Sequence, residues 1–300
     1  MGYLFIVLAL FCGVTKGYCG KKTSGVIEAL PHAMLFNAVR MLICIPIGLL
    51  FVWLYTGTLD SLAVDGTTLL ISVVSGISTS VFVVTWLIAV RTGAYMMVDV
   101  FLTLGVIVPV IACRIFFGEP VRWNHLTGIF LLVIAAYIMC TYNKTIGKAA
   151  LTPASLLLLS FCGISNGLTS FSQKWFQYAS FSDAAVFNFY TYVFSAVSLL
   201  LCWFVMYCRQ KGKEITASRP DIRRLGFYVI IMSLCIFLHS FFSTMAAGYL
   251  SSSQLYPLMQ GGALVLSMLM CAVCFGEKIT LRCLVGICTT FAALLCINLL

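Results

Sequence analysis

The sequence predicts an all-helical integral membrane protein with ten transmembrane helices, arranged as two inverted repeats of five. Three observations lead there. Hydrophobic residues make up 62% of the 300 and charged ones only 9%, against roughly 45–50% and 25% in a soluble domain. Such a chain has too little polar side chain to cover its surface in water, whereas lipid solvates apolar faces directly. The chain also divides into ten apolar runs, each near the roughly 20 residues that a membrane helix needs. Finally, the turn Phe117-Gly118-Glu119-Pro120 returns as Phe275-Gly276-Glu277-Lys278, and in each copy a glycine, Gly128 or Gly286, falls nine residues after the glutamate.

Taken in order, the runs lie near 3–20, 31–55, 67–90, 94–117, 123–142, 152–173, 183–207, 225–248, 253–275 and 279–300. The first begins almost at Met1 without a basic leader or an A-x-A site, so no cleavable signal is expected. Most links are short, which makes successive helices antiparallel neighbours. The link from Arg209 to Arg224 is the longest and the only one with soluble-loop composition. Gly118 and Gly276 suit the left-handed residue that ends a helix, and the acid behind each sits where the next helix begins. A capped helix hairpin is the reading of these turns, set against a catalytic or proton-carrying glutamate.

A second correspondence extends the repeat. Phe11-Cys12-Gly13-Val14-Thr15-Lys16-Gly17 matches Phe161-Cys162-Gly163-Ile164-Ser165-Asn166-Gly167, and Phe36-Asn37 matches Phe187-Asn188. Matches in the same order indicate a duplicated unit of about 150 residues, with halves at 1–148 and 149–300. An odd number of spans per unit makes the second copy enter the membrane in the opposite sense, the inverted-repeat logic of many secondary transporters. The whole pattern resembles the drug/metabolite transporter superfamily, in its ten-helix EamA-like branch. That resemblance implies a secondary transporter with a central cavity between the halves, lined by the first, third, fourth, sixth, eighth and ninth helices.

The net charge of +9 is spread over links, with no basic stripe interleaved with aromatics as nucleic-acid binding requires. The odd-numbered links and their flanks hold thirteen Lys and Arg and the even-numbered ones three, Arg114, Arg122 and Lys174. The positive-inside rule then places the odd links in the cytoplasm and both termini outside, whereas the resemblance implies both termini inside. The fourteen cysteines lie almost all within apolar runs. Cys271 and Cys274 form a C-x-x-C, but a zinc site needs about four converging ligands, so cysteines packing between helices is the expectation and no metal or cofactor is called for.

Charged groups inside spans cost roughly 2.5–3.5 kcal/mol or more at the centre, so each calls for an explanation. Lys16 in the first span either snorkels to the interface beside Lys21 and Lys22 or makes the cavity positive. Arg40 lies about ten residues into the second span and Asp99 near the start of the fourth. They form a structural ion pair, or Arg40 binds an anionic group while Asp99 balances the site, holds an amine or exchanges a proton. Asn37, three residues before Arg40, shares its helix face. Asn188 is its repeat counterpart, placed to face it across the pseudo-two-fold axis, and Asn166 takes the place of Lys16 in the second copy. His239 is a helix-packing residue or a proton carrier. Tyr256 and Gln260 stand one turn apart in the ninth span, where Pro257 is expected to kink the helix as Pro109 does in the fourth. Trp86, Tyr95 and Thr103 are further lining candidates. Gly261-Gly262 reads as close helix packing, and Gly128, Ala135 and Ala136 as either packing within the chain or the seam of a homodimer.

The functional expectation is a secondary transporter in the cell membrane, not an enzyme, that moves a small amphipathic or anionic, amino-acid-like metabolite. A proton or an exchanged solute is the open coupling partner. No G-x-x-x-x-G-K-[ST] is present to drive an ATP pump. The alternative is a non-transporting solute receptor or a membrane enzyme. Against the enzyme, His32, His125 and His239 stand apart with no nucleophile or metal constellation around them.

Overall fold

The computed structural model describes residues 1–24, 30–91, 95–140, 152–180, 182–209, 222–276 and 281–299. Among these the regular structure is helical throughout, apart from turns. The helices are α1 (Gly2–Thr23), α2 (Leu30–Thr56), α3 (Gly66–Arg91), α4 (Tyr95–Gly105), α5 (Ile107–Phe117), α6 (Trp123–Cys140), α7 (Pro153–Ala179), α8 (Ala184–Arg209), α9 (Ile222–Ala247), α10 (Ser252–Phe275) and α11 (Leu281–Leu299), with a short 3₁₀ turn at Asp60–Leu62. Seven of them, α1 to α3 and α7 to α10, are long and apolar enough to cross a membrane, and shorter apolar helices span Phe101–Phe117, Trp123–Ile138 and Leu284–Ile297. Outward faces bear Phe11, Trp53, Phe130 and Val273 in the open, which would be costly in water and is the natural boundary with lipid. Together these features support a multi-pass membrane protein. Glu277, Lys278, Lys144, Lys148 and most of the link between Arg209 and Arg224 lie outside the described residues, as does the side chain of Tyr95.

Local chemistry sets the helix ends. Gly118 (φ 66°) and Gly276 (φ 65°) both adopt the left-handed conformation, and the amide of each returns to a carbonyl of the helix it ends, Cys113 O and Cys271 O. The hydroxyl oxygen of Thr152 accepts from the Ser155 amide, with Pro153 as the first helical residue of α7, where a missing N–H leaves nothing unpaired. The carboxylate of Asp65 accepts from the amides of Thr67 and Thr68 and from the Thr68 hydroxyl at the start of α3, and these bonds hold it below the usual carboxylate range.

Two spans differ from expectation. The fourth run is two helices, interrupted at Val106, and Pro109 is the third residue of the second one, a first-turn position whose amide has no intrahelical partner anyway. Pro257, by contrast, sits within an uninterrupted α10. The sixth run continues through Ala179, so Lys174 belongs to a helix and is 5% exposed instead of marking a link.

The principal helix contacts are α1 with α9, α3 with α7, α2 with α8 and α6 with α11. In addition α3 packs on α8, α4 and α5 on α7, and α1 on α10. Small residues make these approaches. A Cβ on Gly76 of α3 would lie 2.8 Å from Thr191 O of α8, and one on Gly167 of α7 would lie 2.5 Å from Gly105 O. Gly261 faces Leu294 and Gly262 faces Leu10, in keeping with a packing role. Gly128 meets Ile297 of α11, and Ala135 and Ala136 are fully buried. These three residues are therefore occupied within the chain and do not form an outer dimer seam.

Candidate solute-binding cavity

Where α1, α3, α4, α5, α7, α8, α9 and α10 converge they leave a cavity of about 130 Å³, room for on the order of ten waters or one small organic molecule. Six of the nine candidate residues line it: Lys16, Asp99, Asn166, His239, Tyr256 and Gln260. Trp86 lines it too, whereas Thr103 does not. Thr103 is buried, and its hydroxyl donates to Asp99 O at 2.7 Å.

The polar groups of the lining fall into two sets. Some are already bonded to protein. Tyr256 Oη donates to Ser170 O at 2.5 Å, and Tyr192 Oη donates to Ile236 O at 2.8 Å. His239 Nδ1 lies 2.8 Å from Ala9 O, and since a carbonyl only accepts, Nδ1 carries the proton of that bond. His239 thus joins α9 to α1, the packing role weighed for it, and Gly13 admits its ring at close range. The other set is unpaired. Lys16, Asp99, Asn166 and Gln260 have no hydrogen-bond or ion-pair partner for their side-chain heads among the described residues, and the ammonium of Lys16 lies over the Phe82 ring, 5.7 Å from its centroid. Lys16 therefore lines the cavity. Aromatic and aliphatic side chains, Phe82, Trp86, Leu102, Ile236 and Met259, share the wall with the hydroxyls of Thr79, Thr169 and Ser267. Opposite charges with free heads in a largely apolar chamber suit a solute that is both polar and apolar.

Arg40, Asn37 and Asn188 do not reach the cavity, contrary to expectation. Arg40 is 1% exposed. Its Nη1 donates to Asn37 Oδ1 at 2.6 Å, its guanidinium stacks over Phe36 at 5.8 Å, and its Nε has no partner. No ion pair joins it to Asp99, so the proposed structural pair is absent. Asn37 and Asn188 do not face one another. Asn37 Nδ2 donates to Ala33 O at 2.9 Å and to Val83 O of α3 at 3.3 Å. Asn188 Nδ2 donates to Ala184 O at 2.7 Å and to Thr244 Oγ1 of α9 at 3.2 Å. Each binds the carbonyl four residues back and then one neighbouring helix.

Beside the cavity lies a buried polar network. Gln173 Oε1 accepts from Ser243 Oγ at 2.9 Å, and Gln177 Nε2 donates to Thr244 O at 2.9 Å. Lys174 Nζ donates to Ala247 O at 2.8 Å and Leu250 O at 2.7 Å, and lies 3.2 Å from Glu119 Oε1. That oxygen also accepts from Tyr178 Oη at 2.9 Å, while Glu119 Oε2 accepts from the amide of Ser252 at 2.7 Å and its hydroxyl at 2.5 Å. Glu119 therefore caps the start of α10, not of the helix that follows it in sequence, and Lys174 caps the end of α9. Burial would raise the Glu119 carboxyl, but the Ser252, Lys174 and Tyr178 contacts outweigh it and hold the group below its usual range.

No protein-family model and no curated protein matches this chain. Its fold does have precedent. Among solved structures, 28 chains match. One of them, a crystal structure of a protein described no further, is 13% identical with a TM-score of 0.74, over 99% of this chain and 97% of its own. At that identity the likeness shows the fold alone.

Proposed function

We propose that the protein is a secondary transporter of the EamA-like, drug/metabolite type, moving a small amphipathic or anionic, amino-acid-like metabolite across the cell membrane by alternating access. The observation that carries the reading is the pair of unpartnered opposite charges, Lys16 on α1 and Asp99 on α4, in the wall of one cavity. Buried charges are costly unless paired. Two that stay apart in a shared chamber therefore favour a function in which water and a solute take turns as their partner. Asn166 and Gln260 supply further free hydrogen bonds, and the aromatic wall takes the apolar part of the solute. His239 and Tyr256 hold the walls in place.

The helix contacts support ten spans in two inverted halves. Counting α4 and α5 as one span, the first packs on the eighth as the sixth packs on the third, and the second on the seventh and the fifth on the tenth pair with their own counterparts. The matching bonds of Asn37 and Asn188 follow the same exchange of halves. A site between such halves, with the two halves swapping conformation, gives alternating access. The orientation we favour from the charge count puts the turns at 57–65, 118–122, 180–183 and 248–251 outside. The test is purified protein in proteoliposomes with a panel of labelled small metabolites. Solute-dependent flux that Lys16→Gln and Asp99→Asn abolish is expected. Tight binding without any flux would turn the reading toward a receptor.

A further inference from the structure

Toward the turns at 118–122 and 248–251 the cavity ends in bonded side chains. The Gln173, Ser240 and Ser243 side chains close its wall between α7 and α9. Next to Gln173, Lys174 grips the last carbonyl of α9, Ala247 O, and Leu250 O in the turn that follows, and Glu119 grips the first amide of α10. The α9–α10 turn is thus held from α7 on one side and from the α5–α6 turn on the other, and the ion pair ties the two grips together. Ala246, Ala247, Ser252 and Leu255 in this layer are fully buried. A mouth at this end of the cavity would have to part these contacts.

We propose that Glu119 and Lys174 are the latch of this mouth, parting from the α9–α10 turn when the mouth opens. The inference rests on the transporter reading and adds the residues that gate it. Charge suits a latch better than it suits a permanent plug. A buried ion pair is often no more stabilising than apolar residues of the same volume, so stability alone does not call for one here. Two charges, however, regain hydration when water enters an opened mouth, which lowers the free energy of the open state, whereas an apolar plug would be exposed at a cost. The helix-end partners add direction, since the lysine meets carbonyls and the carboxylate meets amides, and reclosure restores one register.

The experiment places a reporter inside the cavity with Ala263→Cys and marks the exposed 57–65 turn with Asp60→Cys in a separate protein. In proteoliposomes, a membrane-impermeant maleimide is applied from each side, and peptide mass spectrometry separates position 263 from the native cysteines. Glu119→Gln should speed labelling of position 263 from the face that also labels position 60, on the order of fivefold or more. Glu119→Gln/Lys174→Met, which strands neither charge, should do the same, and Ser252→Ala, which removes one hydroxyl bond, should give a smaller rise. An unchanged rate, or an equal rise from both faces, would overturn the latch. Labelling needs no transported solute, so the two readings fail separately. Gated labelling with no solute carried would count against transport alone, and carried solute with ungated labelling against the latch alone.

Discussion

Gly167→Ala gives a sharp test of how the cavity wall is built. In α7, a Cβ at this position would lie 2.5 Å from Gly105 O and 2.7 Å from Val108 Cβ, where real Cβ contacts essentially never fall below 3.0 Å. The nearest obstacle is a backbone carbonyl at the α4–α5 break, which cannot rotate away as a side chain can. The helices must therefore part by about half an ångström or more, an overpacking cost of about 1–3 kcal/mol. Alanine also returns about 1 kcal/mol as a better helix former, and Gly226→Ala isolates that gain, because nothing lies within 4 Å of a Cβ there. Thermal unfolding in detergent should show Gly226→Ala at or above wild type and Gly167→Ala below it. At about 2–4 °C per kcal/mol, the gap should be several degrees. Equal melting temperatures for the two variants would refute the close crossing of α5 and α7.

Three further outcomes follow from the contacts described. Because the folded-state carboxyl of Glu119 is depressed, its contribution to stability is present above the unfolded value and is lost as pH falls through the folded one. Melting followed across the acid range should therefore show a decline that Glu119→Gln flattens, and an identical acid limb in the variant would contradict this. Arg40→Gln should melt no lower than wild type, since the guanidinium has an unpaired Nε and, among the described residues, no acid partner, and adding Asp99→Asn should be additive within about 0.5 kcal/mol. Rescue by the double variant would restore the ion pair. Tyr256→Phe removes the bond to Ser170 O and should cost about 0.5–1.5 kcal/mol in the same melting assay, and no loss would mean that the α7–α10 contact does not depend on it.

The apolar runs reveal most helix boundaries to within about three residues, because lipid demands continuous apolar length, but they miss the break at Val106 and the extension of α7 to Ala179. Gly118 and Gly276 announce their left-handed turns because few other residues tolerate that conformation. The cavity is legible for the same reason that a charge at membrane depth is conspicuous, and Lys16 and Asp99 both line it. Direction is what periodicity does not carry. Arg40 and Asn37 do share a face, but nothing in the sequence shows that this face turns to a buried seam instead of the chamber. The latch escapes for another reason. Lys174 follows Gln173 near the end of an apolar run and so reads as a link, although Gln173, Lys174 and Gln177 together mark a polar helix face. The partner of Glu119, Ser252, is 133 residues away, and no local rule joins a carboxylate to a helix start at that distance.

The central claim is that the unpaired charges of one chamber bind a transported solute. It is tested most directly by counterflow in proteoliposomes, with labelled amphipathic and anionic metabolites and with the Lys16→Gln and Asp99→Asn proteins alongside. We predict saturable, solute-dependent uptake by the native chain and loss of at least about tenfold in each variant, while melting temperatures stay near or above the native value because a costly buried charge has gone. Uptake that persists in both folded variants would contradict the account.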